Sequence, residues 1–306
     1  MKKQKKSNAI GAVEAHYPGL VEKIKGIIEE SEKKFSRDPE RTGSYLWEHT
    51  THVASLSYEL ARAAKMDPVI PAAAALFHDA GKFAGGKYHD DERAEEKKAA
   101  SIAARMGRQA GMKAKDIRRL TSGLRALYKQ TAQKNSIADI VHDADFLSKF
   151  GALGVANFFI KSTLRGKTLQ GALMSSLSKE LTYAACLPAN MRTRAGRHWA
   201  ERKSRDTLRF FRSLLRELKE TGGADFEIKR ILVYPESGPR RPLDVQLAVP
   251  RSCETCGGRW GTSFRTERGI KCEKLETEIR CAGCGSTSSF SFCLPEIPGK
   301  VGISRR

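Results

Sequence analysis

Three places along the chain carry residue types that bind cations: His49, the adjacent pair His78 and Asp79, and the run Ile140-Val141-His142-Asp143-Ala144-Asp145-Phe146-Leu147. Neutral imidazole nitrogen and carboxylate oxygen together suit a borderline-hard divalent ion such as Mn, Fe, Co, Ni or Zn. An ion held this way lowers the pKa of a bound water toward about 7 and polarises a phosphoryl oxygen. Hydroxide then becomes available at neutral pH. His52 follows His49 by three residues on nearly the same helix face, so spacing alone leaves the choice between them open. Asp143 and Asp145 pose the same choice, with Asp143 an alternative ligand or a group that orients one.

A second constellation is made of sulfur. Cys253-Glu254-Thr255-Cys256-Gly257 and Cys281-Ala282-Gly283-Cys284-Gly285 are matching knuckles separated by 24 residues, and the glycine after each lets the backbone turn around the thiolates. Four thiolates at this spacing predict a tetrahedral structural Zn with no open coordination position, as in a zinc ribbon. Cys272 and Cys293 are spare, Cys293 following Phe290 and Phe292 in an alternating strand where a free thiol serves as a small hydrophobe. Cys186 is expected to pack among helices. Seven cysteines, four of them in metal-type pairs, fit a reducing compartment better than a secreted disulfide framework, so a cytoplasmic protein is expected.

These residues must be positioned by helices up to about residue 221 and by strands after it. Val21, Ile24, Ile27 and Ile28 form one helical stripe, and Val53, Leu56 and Leu60 another. Asp67-Pro68 and Pro71 open an alanine-rich helix that carries His78 and Asp79 in its last turn, with Gly81 beyond its end. Further helices are predicted over about 94–107, 115–130 and 136–148, after which Gly151 and Gly154 break the pattern. A long helix is predicted over about 190–220, with Leu208, Phe211, Leu215 and Leu218 on its inner face and a basic outer face. At Thr221-Gly222-Gly223 the period drops toward two. Short strands are predicted around 226–231, 245–249, 262–265, 276–280 and 288–293. This gives a basic entry over 1–19, a helical domain over 20–221 and a β-rich domain over 222–306, the last too small to stand without its metal staple.

The 306 residues are 40% hydrophobic, which excludes a disordered or collagen-like chain, and a net charge of +20 biases the protein toward polyanions. The longest apolar run, Val69 to Phe77, is far short of the roughly 18 residues of a bilayer span, so no membrane partner is expected. Gly81 to Lys87 imitates a phosphate loop, but Tyr88 stands where Ser or Thr is required.

In Trp47-Glu48-His49 with Val53, Leu56 and Leu60, in Leu76-Phe77-His78-Asp79-Ala80-Gly81-Lys82, and in Asp143-Ala144-Asp145-Phe146-Leu147, the sequence resembles the HD superfamily of metal-dependent phosphohydrolases. Leu187-Pro188, Met191-Arg192-Thr193 and Ala200-Glu201-Arg202 extend the resemblance over about residues 20–220. It implies a mainly α protein, an all-helical HD bundle followed by a small β-rich zinc ribbon. It implies as ligands His49, His78, Asp79 and Asp145, with Asp79 and Lys82 in the chemistry and Lys82 as a phosphate contact. One divalent ion is expected, Mn, Fe, Co, Ni, Zn or Mg, because between His78 and His142 only His89 adds a histidine. The implied activity is hydrolysis of a phosphate mono- or diester of a phosphorylated small molecule, a nucleotide or a nucleic acid. The alternative is an adaptor that binds RNA or DNA through the ribbon and carries an inert HD domain. Arg251, Arg259, Arg265, Arg268 and Lys271 are the ribbon residues that such binding would use.

Overall fold

The computed structural model describes residues 8–35, 43–82, 95–127, 135–233, 243–268 and 273–293. The basic segment 1–6, His89, Lys271 and Cys272 lie outside them, as do the side chains of Arg265 and Arg268. Among the described residues the protein is mainly α. The helices are α1 (Ala9–His16), α2 (Leu20–Phe35), α3 (Tyr45–Ala63), α4 (Val69–Phe77), α5 (Glu95–Gln109), α6 (Ala114–Ala126), α7 (Ser136–Ser148), α8 (Gly151–Leu164), α9 (Leu169–Asn190) and α10 (Arg194–Glu220). The strands are β1 (Phe226–Val233), β2 (Leu243–Pro250), β3 (Trp260–Arg268), β4 (Glu273–Cys281) and β5 (Thr287–Cys293). None of these helices is long and apolar enough to cross a membrane.

The chain forms two compact units, residues 1–148 with 192–196, and residues 149–191 with 197–306. In the first, α4 is the central helix, with α1, α3, α6 and α7 around it. Every residue from Ile70 to Phe77 is buried, and four consecutive alanines let the neighbouring helices come close. Asp67 Oδ1 accepts a hydrogen bond from Val69 N at 3.1 Å, and Pro71 sits in the first turn, where its missing N–H costs nothing. Helix α3 starts at Ser44, whose hydroxyl oxygen accepts from Trp47 N at 2.9 Å, while Glu32 of α2 accepts from Leu46 N and from the Ser44 hydroxyl. The inner faces of α2 and α3 bury Val21, Ile24 and Ile28, and Val53, Leu56 and Leu60.

In the second unit β1 and β2 pair antiparallel, Phe226 opposite Pro250 and Val233 opposite Leu243, and β3-β4-β5 form a separate antiparallel sheet. Helix α9 lies on β2, where the Ser178 hydroxyl accepts from Ala248 N at 3.0 Å and the Thr182 hydroxyl accepts from Gln246 N at 3.0 Å. Two hydroxyls one helical turn apart thereby occupy strand-edge groups that would otherwise remain unpaired. Val155, Phe158, Leu173, Leu177, Phe211 and Leu215 make the helical core of this unit, and Val245, Leu247, Leu275 and Ile279 its strand core.

Two features depart from expectation. Helices α8 and α9 occupy the stretch after residue 149, where glycines suggested a break. Gly151 enters α8 at φ 76°, and a Cβ at Gly154 would stand 2.3 Å from the Lys149 carbonyl oxygen. These glycines permit close packing rather than ending a helix. The long helix begins at Arg194, since Met191 is extended (φ −75°, ψ 134°) at the end of α9.

Candidate metal centres

Three elements of the first unit bring the histidines and carboxylates together. Helix α3 carries His49, the turn after α4 carries His78 and Asp79, and α7 carries Asp145. The doublet sits one step past the helix end, where the Ala80 N–H bonds Phe77 O and the Lys82 N–H bonds Asp79 O in tight turns. This exit lets adjacent side chains turn to one point. One ligand atom from each of His49, His78 and Asp79 lies within 4.8 Å of the others. His49 Nε2 is 3.6 Å from Asp79 Oδ2 and 3.4 Å from Asp145 Oδ1; His78 Nε2 is 3.3 Å from Asp79 Oδ1 and 3.9 Å from Asp145 Oδ1. His52 is half-buried on α3 and does not belong to this cluster.

The protonation pattern follows from the neighbours. His78 Nδ1 donates to the Ala75 carbonyl oxygen at 2.6 Å, and burial pushes the imidazole pKa down, so the ring is neutral with a bare Nε2. That nitrogen is buried and makes no hydrogen bond among the described residues. The Ser148 hydroxyl gives its proton to the Asp145 carbonyl oxygen at 2.7 Å, which leaves its lone pair for His49 Nδ1 at 3.5 Å. With Nδ1 as the donor to that oxygen, the neutral His49 ring presents Nε2 as a lone pair. Burial opposes ionisation of Asp79, but the Lys82 ammonium against its Oδ2 favours the charged form, and the carboxyl is held well below the usual carboxylate range. Two imidazoles and two carboxylates thus face one another, a donor set that fits a divalent cation.

Lys82 Nζ lies 2.5 Å from Asp79 Oδ2 and keeps partial exposure, so the charge expected to meet a phosphate stands against a member of the cluster. Asp143 does something else. It is fully buried, and its two oxygens accept from Arg192 N at 2.8 Å and Thr193 N at 2.7 Å, with His142 Nδ1 at 3.1 Å. The Arg192 guanidinium adds a hydrogen bond to Leu127 O at 3.0 Å and stands 3.6 Å from Asp139. Asp143 is a clasp between α7 and the 192–196 turn. Ser148 was not among the residues singled out from sequence, its only local signal being its place three positions after Asp145; Asp143, Arg192 and Thr193 were named there, but not as partners of one another.

In the second unit the Cys253, Cys256, Cys281 and Cys284 sulfurs all lie within 4.8 Å of one another, with 3.7 Å between Cys253 and Cys284 and 3.4 Å between Cys256 and Cys281. These are not disulfides, and the spacings approach the edge of about 3.8 Å that four Zn–S bonds of about 2.3 Å require. The knuckles repeat one backbone pattern: Gly257 N–H to Cys253 O at 2.8 Å and Gly285 N–H to Cys281 O at 3.0 Å, both glycines at positive φ. Hydrogen bonds led by that of Ser286 bring the Cys284 thiol down to about 6, toward the thiolate a metal needs. Cys293 is exposed, because period two places it opposite the face of Phe290 and Phe292, so it is not the packed hydrophobe expected.

A helical bundle that gathers histidines and carboxylates from separate helices defines the class, a helical domain with a candidate metal site. A stretch of the chain, residues 46–149, matches the family model of the HD domain. Its cluster and the four cysteines could each bind a metal. Similar solved structures include a predicted HD superfamily hydrolase from an uncultured Thermotogales bacterium, 21% identical over 64% of this chain and 91% of its own, with a TM-score of 0.46. Bacillus subtilis YpgQ in complex with ADP is 21% identical over 65% of this chain and 94% of its own, with a TM-score of 0.47. An HD-superfamily hydrolase from Bacillus thuringiensis is 20% identical over 65% and 98%, with a TM-score of 0.46. No curated protein matches the chain significantly.

Proposed function

We propose that the protein is a metal-dependent phosphohydrolase acting on a phosphate mono- or diester, with a nucleotide or nucleic acid as substrate. The observation that carries this reading is the buried His78 Nε2, deprived of a proton by its bond to Ala75 and directed with His49 Nε2 toward Asp79 and Asp145. His49, His78, Asp79 and Asp145 would hold one divalent ion. When bound, such an ion supplies an activated water and neutralises charge on the phosphoryl group. Ala75 O and Ser148 fix the two imidazole tautomers, and the Asp143 clasp fixes α7, so that the donor atoms keep their positions. Lys82 holds Asp79 ionised and offers its ammonium to a substrate phosphate. The four cysteines would hold Zn and keep β3–β5 folded. The adaptor with an inert HD domain is the weaker reading, because the grouping of His49, His78 and Asp79 within 4.8 Å, with Asp145 beside both imidazoles, supports a metal site.

The test is hydrolysis of a panel of nucleotides and oligonucleotides, each assayed with Mn, Fe, Co, Ni, Zn and Mg. Asp79→Ala is expected to reduce turnover to background with an unchanged helical circular dichroism signal. Unchanged turnover in that variant would remove the enzyme reading.

A further inference from the structure

Helix α10 carries nine lysines and arginines against four acids. Arg202, Arg205, Arg209, Arg212, Arg216 and Lys219 recur at intervals of three, four, three, four and three, the repeat that puts residues on one helix face, and all six are exposed. The stripe spans about 26 Å at 1.5 Å per residue. Its backing is rigid: Thr207, Phe211 and Leu215 on the opposite side are buried, the last two in the core with α8 and α9. Among the described residues no ion pair engages the five arginines, and Lys219 has Asp225 at 3.9 Å. Six cations stand on one face of this helix, with Glu201 and Glu220 near the two ends of that face and Asp206 and Glu217 beside it.

We propose that this face of α10 docks the phosphate backbone of a nucleic acid duplex. Charge complementarity selects a polyanion, and the stripe covers about three-quarters of one duplex turn of roughly 34–36 Å. Arginine forks match phosphate geometry. The face holds no Asn or Gln, so it contacts backbone rather than reading base edges. It carries no aromatic side chain in line with the arginines, which single-strand binders use for stacking, since the exposed Phe210 falls off the stripe. An anionic membrane is disfavoured because the apolar face of α10 is committed to the core and cannot insert. The inference does not depend on the hydrolysis proposed above, and its test reads binding alone.

The experiment is fluorescence anisotropy of the full chain with a labelled 20-base-pair duplex between 50 and 200 mM NaCl. Six phosphate contacts give a log–log slope near −5, a loss of about 10³-fold across that range. Arg205→Ala with Arg209→Ala and Arg212→Ala is expected to flatten the slope to about −3, a loss of about 40-fold. Lys23→Ala with Arg105→Ala and Arg108→Ala removes equal charge from exposed positions elsewhere and is expected to leave the slope near −5. A starting slope flatter than about −2, or equal loss in both variants, would overturn the proposal. So would tighter binding to a 20-nucleotide single strand or to phosphatidylserine vesicles than to the duplex.

Discussion

Asp143 and Asp145 are two positions apart on α7 and do different work. Asp143 accepts two backbone N–H groups at 2.7 and 2.8 Å in a fully buried site, whereas Asp145 faces the imidazoles of His49 and His78. Asp143→Ala leaves those amides without their acceptor and is expected to lower stability by about 3 kcal/mol in urea unfolding. Asp145→Asn removes a carboxylate that faces Asp79 across the cluster and is expected to stay within about 1 kcal/mol of the parent in metal-free protein. Equal losses would mean that the two roles are wrongly divided. Ser148→Ala deprives His49 of its Nδ1 partner and is expected to weaken divalent-ion binding about tenfold by calorimetry, with the fold intact. The candidate pairs were legible in residue type and spacing. What decides between Asp143 and Asp145 is a turn some 50 positions further along the chain, which local spacing does not report.

At the scale of elements, the period of the apolar residues located α2, α3, α4 and every strand, while the glycines misled. Gly81 ends the turn that carries the doublet, and a Cβ there would stand 2.3 Å from the Glu95 carbonyl oxygen. Gly81→Ala is therefore expected to destabilise by about 1–3 kcal/mol, by pushing α5 away from the turn. Gly26, inside α2 with nothing within 4 Å of its Cβ position, is the contrast. Gly26→Ala is expected to stabilise by about 0.5–1 kcal/mol, and thermal unfolding of both variants checks the pair. A glycine that breaks a pattern and one that admits a neighbouring backbone look identical in sequence. The difference lies in what packs against them, and that is why α8 went unread. Cys293 shows the converse: the alternation placed β5 correctly, yet the face of each residue depends on its parity with Phe290 and Phe292.

At the scale of the whole molecule, the composition change at Gly222-Gly223 marks where helices give way to strands, but it does not report that α9 seals β2 through Ser178 and Thr182. The four thiolates flank the sheet β3-β4-β5, and on the proposed reading a metal they hold keeps it folded. Zn binding of about 10–16 kcal/mol equals or exceeds the roughly 5–15 kcal/mol of a whole domain, so chelation is expected to remove the part of the β signal that β3-β4-β5 contributes, while that of β1-β2 and of the helices remains. Retention of β3-β4-β5 in excess chelator would contradict a structural ion there. The central claim is that His49, His78, Asp79 and Asp145 converge on one divalent cation, separate from the cysteine site. Metal content per chain, measured on purified protein, tests it most directly. The parent protein is expected to hold two ions, Asp79→Ala one, and Cys281→Ser one, each variant losing a different ion. An Asp79→Ala protein that keeps both ions would contradict the claim.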